Sequence, residues 1–241
     1  MAPARDAHVQ RLRRPGREHV RRHGPAEVLL TDAVGRGAAG AEPAPRRAPI
    51  ALRLKPAVFV LALLPLAHLA WRAASDDLGA DPIRELELQT GRWTLRLLAA
   101  TLAVTPVRML SRIGVLARYR RMLGLFTFFY ASIHLALWIG VDWYFDVPAM
   151  AEEIAKHRYI LVGMLTWLLL LPLAVTSTKG WVRRLGGTRW ARLHRLVYFA
   201  AVTATIHYLW AVKKDTLWPL LYLATFGLLL GARVWLRRRS R

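Results

Sequence analysis

Three histidines interrupt stretches that otherwise read as hydrocarbon. His194 and His207 lie in LHRLVYFAAVTATIHYLW (193–210), and His134 lies in MLGLFTFFYASIHLALW (122–138). A polar ring in such surroundings costs free energy unless it is hydrogen-bonded or put to use, and a neutral imidazole is the commonest metal ligand. The chain has no cysteine, which excludes iron–sulfur ligation, covalent c-type haem attachment, structural disulfides and thiol nucleophiles. Electron chemistry here requires a cofactor held by other side chains.

Depth along the chain pairs two of the three. His134 stands twelve residues into its stretch from Met122, about 18 Å along a helix axis, and His207 stands thirteen residues beyond His194, about 20 Å. Both segments enter from the same membrane face, so the two histidines reach the same level, where facing imidazoles can hold a haem iron from both sides. His194 is different: thirteen residues of ideal helix turn it about 140° from the face of His207. The residues at matching inner depth before His134 are Arg120 and Arg121, which do not ligate iron. The geometry leaves three uses open for His194: sharing a haem, ligating with a non-histidine partner, or serving another cofactor.

Positioning such groups is the task of the segments around them. The 241 residues are 55% hydrophobic yet carry a formal charge of +21, and the two properties are segregated. Six largely apolar segments span residues 54–71, 93–110, 122–141, 159–178, 194–212 and 217–236. Each is long enough to cross a bilayer core of roughly 30 Å as a helix. No period-2 alternation accompanies them, so the expected fold is an all-α membrane protein, a bundle of six transmembrane helices, and not a barrel. Arg96 in the second segment is read as snorkelling toward an interface.

Charge orients the bundle. The loop after the second segment carries Arg112, Arg118, Arg120 and Arg121, and the loop after the fourth carries Lys179, Arg183, Arg184, Arg189 and Arg192, both without an acid. The intervening loops hold Asp76, Asp77, Asp81, Glu85 and Glu87, and Asp142, Asp146, Glu152 and Glu153. The positive-inside rule puts the basic loops and both termini in the cytoplasm. Residues 1–48, rich in Arg, Ala, Pro and Gly, read as an unstructured basic cytoplasmic arm. No aromatic residues interleave its arginines and no apolar segment follows closely, which disfavours nucleic-acid binding and an export signal. Residues 49–241 then form the membrane domain.

The remaining histidines have plainer readings. His68 follows Pro65 by three residues and can serve carbonyls freed by the proline, and His157 in KHRY sits where interfacial anchors sit. Arg189, Arg192 and Arg195 flank His194 and can pair with acidic groups of a cofactor, although topology-setting charge accounts for each one singly. Trp138, Trp143, Trp181, Trp190, Trp210, Trp218 and Trp235 read as an aromatic belt.

The strings YRRMLGLFTFFYASIHLALW and TSTKGWVRRLGGTRWARLHRLVYFAAVTATIHYLW, with LKPAVFVLALLPLAHLAW and GRWTLRLLAATLAVTPVRML before them, carry a resemblance. The chain resembles the haem-binding membrane subunits of bacterial periplasmic methionine sulfoxide reductase systems and, more widely, ferric reductase-like transmembrane domains. The likeness runs from residue 50 to about 236, with RxLGLxxFFYASxH and LHRLVYxxxxxxxxHY as its most specific parts. It implies a multi-pass cytochrome of the inner membrane with heme b. Electrons from the quinone pool or a cytosolic flavin reductase would pass to a periplasmic molybdopterin-containing reductase that repairs oxidised proteins. It implies that His134, His194 and His207 are the haem-associated histidines, that FMN is a further cofactor, and that the subunit has no substrate-reducing site of its own. Rival readings are another ferric reductase-like electron carrier, a proton-relaying transporter using the histidines, and a non-redox scaffold.

Overall fold

The computed structural model describes residues 54–212 and 215–239; the basic arm expected over 1–48 lies outside them. All described elements are helical. They are α1 (Lys55–Ala74), α2 (Pro82–Ser111), α3 (Ala117–Leu137), α4 (Val147–Lys156), α5 (Arg158–Val175), α6 (Lys179–Leu185), α7 (Gly187–Leu193), α8 (Leu196–Ala211) and α9 (Leu217–Arg239), with a 3₁₀ turn at Gly114–Leu116 leading into α3 and a π-helical turn at Trp138–Asp142 following it. The acidic loops join helices at one end of the bundle and the basic loops at the other, and these are called the acidic and basic ends below.

Among the described residues, four helical runs are long and apolar enough to cross a membrane: Lys55–Ala74, Gly114–Asp142, Arg158–Val175 and Leu217–Leu236. The other two of the six expected segments are helical as well but differ in kind. Helix α8 has only 16 residues, and α2 has 30 and carries Arg92, Arg96 and Arg108. Helix α2 also starts eleven residues earlier than its apolar stretch, in a region expected to be loop. Asp81 caps it by accepting from the Arg84 N–H at 3.1 Å, Pro82 opens the first turn and Glu85 stands in it, a start signal that hydropathy does not register.

Helix α2 is the central element, packed along α3 and against α9, while α5 pairs with α8. Leu95, Leu98 and Leu102 of α2 meet Leu173 of α5, Val197, Ala201, Ala204 and Tyr208 of α8 and Phe226 of α9. Ala200 and Ala201 are fully buried, and such small residues let helix backbones approach closely. Buried threonines return their hydroxyls to the carbonyl four residues back, as Thr94, Thr101 and Thr205 do. Interhelical bonds run from Trp167 Nε1 to Ser132 Oγ (3.0 Å) and from Thr166 to Thr203 (2.8 Å). Outside this core, Phe199 is 64% exposed and Leu228 74%. Apolar surface of that kind suits hydrocarbon and would be a liability in water.

Helix α1 docks differently. Pro65 interrupts its ladder, and the fully buried Tyr130 of α3 inserts its hydroxyl beside the break. It donates to the Ala62 carbonyl at 2.8 Å and accepts from the Leu66 N–H at 3.1 Å, groups that would otherwise bond each other. Tyr130, not His68, thus serves the backbone around the proline.

Candidate functional site

His134 projects from α3 toward α2, and His207 from α8 toward α5. His134 Nδ1 lies 3.0 Å from the carbonyl oxygen of Glu87, and His207 Nδ1 lies 2.8 Å from that of Tyr159. A carbonyl only accepts, so in each ring Nδ1 carries the proton and donates, and Nε2 keeps its lone pair. That arrangement orients a ligating imidazole and fixes its tautomer. The ring centres stand 6.1 Å apart with planes inclined at 75°. Imidazole nitrogens bond transition-metal ions at about 2 Å, so two rings sharing one ion have centres about 6 Å apart. The pair already stands at that spacing.

Local sequence makes room for both rings. Gly91 on α2 faces His134, and a Cβ there would lie 3.3 Å from the ring; Gly163 on α5 faces His207, and a Cβ there would lie 2.7 Å from Nδ1. Thr90, fully buried, has its hydroxyl 3.4 Å from His134 Nδ1 and donates to the Leu86 and Glu87 carbonyls. These α2 contacts exist because the helix begins at Pro82. Arg92, next to Gly91, donates to the hydroxyl of Tyr208, next to His207, at 3.4 Å. Among the described residues no three histidine or acidic side chains gather as a metal site. An ion held between His134 and His207 must therefore bring most of its own ligands.

His194 stands apart from this pair. It is the C-cap of α7, at the break before α8 and not within it, so the angle expected for one continuous helix does not apply. Its ring stacks on Trp190 at 3.8 Å, Nδ1 donates to the Trp190 carbonyl at 3.1 Å, and Nε2 is buried with no hydrogen-bond partner among the described residues. It lines a cavity of about 930 Å³ at the basic end, together with Arg108, Arg120, Arg121, Lys179, Arg183 and Arg233 and, among the described residues, no acidic one. Arg189, Arg192 and Arg195, its neighbours in sequence, are not in that lining. Arg120 and Arg121, at the inner depth where a second histidine could sit, are. The cavity suits a flat apolar group bearing acidic substituents.

The other candidates fall elsewhere. His157 precedes α5, with Nδ1 2.9 Å from a Glu153 carboxylate oxygen, in keeping with an anchor. His68 lies on α1 in a separate cleft. Sequence reasoning missed Glu87, which precedes the apolar part of α2. Burial, then the Asp142 and Asp81 carboxylates, push its carboxyl up to about 7, and one of its oxygens is buried without a partner.

Residues 90–205 match the family model described as a ferric reductase like transmembrane component. Among known relatives, a protein-methionine-sulfoxide reductase heme-binding subunit MsrQ of Xanthomonas campestris pv. campestris (strain B100) is 50% identical over 193 residues, 78% of this chain and 88% of the relative. The protein of the same name from Rhodospirillum rubrum is 51% identical over 178 residues, 74% of this chain and 86% of the relative. With four apolar helices of spanning length and a transmembrane family domain, the chain is a multi-pass membrane protein, and it belongs to the family of protein-methionine-sulfoxide reductase heme-binding subunits.

Proposed function

We propose that the chain is a b-type cytochrome subunit that carries electrons across the inner membrane to a periplasmic, molybdopterin-containing methionine sulfoxide reductase. All six apolar segments would cross the bilayer, with the basic end and both termini in the cytoplasm. The observation that carries the reading is the His134–His207 pair, each ring proton-locked by a backbone carbonyl and the two centres 6.1 Å apart. A haem bound there supplies one-electron ferric–ferrous chemistry and brings four ligands of its own, which suits a protein donor set of only two imidazoles. The chain's part is to hold the rings, keep Nε2 deprotonated and inward, and close the site with Thr90, Gly91 and Gly163 so that water is excluded.

The basic cavity beside His194 is the proposed entry side. Its six cations and unpartnered His194 Nε2 suit a second group with acidic substituents, the FMN that the resemblance implies or a second haem. Quinol or a cytosolic flavin reductase would be the donor. The purified chain from haem-replete cells should show reduced-minus-oxidised b-type bands. His134→Ala and His207→Ala should abolish the low-spin signal of the bis-histidine site, and His194→Ala should leave that signal and change only what the basic cavity binds. A colourless wild-type preparation, or unchanged spectra in the first two variants, overturns the assignment.

A further inference from the structure

One cation stands at the level of the histidine pair. Arg92 follows Gly91, which faces His134, and Tyr208 follows His207. A single helical step turns each about 100° from its neighbour, and the two side chains meet in the gap between α2 and α8, where Arg92 Nε donates to the Tyr208 hydroxyl at 3.4 Å. Tyr208 is buried and Arg92 half-buried. Among the described residues no carboxylate pairs with Arg92. Other cations in this half of the bundle are answered: Arg72 lies 3.4 Å from Asp77 and 3.4 Å from Glu85, and Lys156 lies 3.1 Å from Glu152. Arg96, one turn further along α2, lies over the Trp93 ring, 4.5 Å from the centroid.

The surroundings limit what the gap can receive. Leu95 of α2 and Ala204 of α8 pack within it on the side of the basic end, and Tyr222 of α9 sets its ring 6.2 Å from that of Tyr208. Arginine stays charged in any such setting, and a cation inside a membrane bundle that no acid answers marks a binding site. The bond from Nε leaves the terminal N–H groups of Arg92 to donate, and the Tyr208 hydroxyl keeps its own hydrogen. Donors from two helices thus converge beside both imidazole-bearing positions, the arrangement that a carboxylate accepts from.

We propose that Arg92, assisted by the Tyr208 hydroxyl, binds a propionate carboxylate of the haem held by His134 and His207. The proposal rests on the haem reading above and adds an orientation to it. Two imidazoles grip only the iron and leave the macrocycle free to turn about the axis through them; a charge-assisted contact at the rim stops that rotation and fixes the propionate-bearing edge in the α2–α8 gap. Arg92 is a binding residue of the porphyrin rim and takes no part in holding the iron.

Titration of the full chain, prepared without haem in bilayer nanodiscs, with haem b and with haem b dimethyl ester tests this, since the ester lacks the carboxylates. Binding is followed in the low-spin band that His134→Ala removes, so that occupancy of the basic cavity does not enter. Wild type is expected to bind haem b at least about tenfold tighter than the ester, the scale of a hydrogen bond to a charged group. Arg92→Leu should lower that preference at least fivefold by weakening haem b while ester affinity stays within about twofold, which also shows that the variant is folded. Arg92→Lys should keep at least half of the preference, Tyr208→Phe should lower it about twofold, and Arg84→Leu, at an exposed position nearer the start of α2, should leave it unchanged. A wild type without preference, an Arg92→Leu chain with the wild-type preference, or equal loss of both compounds in Arg92→Leu overturns the proposal and leaves the haem reading standing; absence of the low-spin band with either compound in wild type overturns both.

Discussion

Gly163→Ala puts the site geometry under the most direct strain. The new Cβ would lie 2.7 Å from Nδ1 and 2.8 Å from Cε1 of His207, whereas ordinary contact begins near 3.4 Å, so about 0.7 Å must be found. The neighbour cannot simply yield. His207 is a rigid ring whose Nδ1 is tied at 2.8 Å to the carbonyl of Tyr159, in the same helix as Gly163. Moving it stretches that bond and disturbs the 6.1 Å spacing to His134. Overpacking of this kind costs about 1–3 kcal/mol, against a helix-propensity gain of about 1 kcal/mol for replacing glycine, so net destabilisation of about 0–2 kcal/mol is expected. The spectroscopic consequence is sharper than the thermal one. Haem content measured as the pyridine haemochrome should fall several-fold, and the low-spin bands of the remainder should broaden or shift. Gly91→Ala is the matched comparison: its Cβ meets His134 at 3.3 Å, a clash of a tenth or so that the propensity gain offsets, and near wild-type haem content is expected. If Gly163→Ala binds haem as fully as wild type with an unchanged spectrum, the reasoning about His207 is wrong.

Three further outcomes follow from other contacts. Tyr130→Phe removes the hydroxyl threaded between Ala62 and Leu66; since those groups can rejoin directly, the loss should be about 1 kcal/mol by denaturant titration, against about 3–5 kcal/mol for Tyr130→Ala, which also leaves a cavity. Folding favours the protonated Glu87 carboxyl, raised from 4.5 to about 7, so its contribution is complete below about 4.5 and is lost as pH rises through about 7; wild type should lose thermal stability over that window relative to Glu87→Gln. His68→Ala should leave the low-spin haem spectrum unchanged, since His68 lies in the α1–α2 cleft away from the histidine pair.

Much of this organisation was legible from residue order. The apolar segments, the alternation of acidic and basic loops and the equal depths of His134 and His207 follow from helical rise and from what a bilayer tolerates, both local properties. The early start of α2 was not legible by hydropathy, because residues 82–92 are polar; capping by Asp81 and Pro82 was the available signal. Residue order left open whether His194 continues the helix of His207 or stands at a distorted start; the chain breaks between Leu193 and Leu196, so the second holds.

What the residue order alone determined, then, is a helical membrane chain with imidazoles at one level and uncompensated cations at the other. Only the tertiary structure decided that backbone carbonyls of Glu87 and Tyr159 lock the two rings, that Gly163 must be glycine to seat His207, and that Arg108, Arg120, Arg121 and Arg183 line one cavity with His194 while its nearest arginines do not. Residues on one helix are related by a fixed period, which a sequence displays. Residues on different helices are related by crossing geometry and close packing, which depend on every side chain between them.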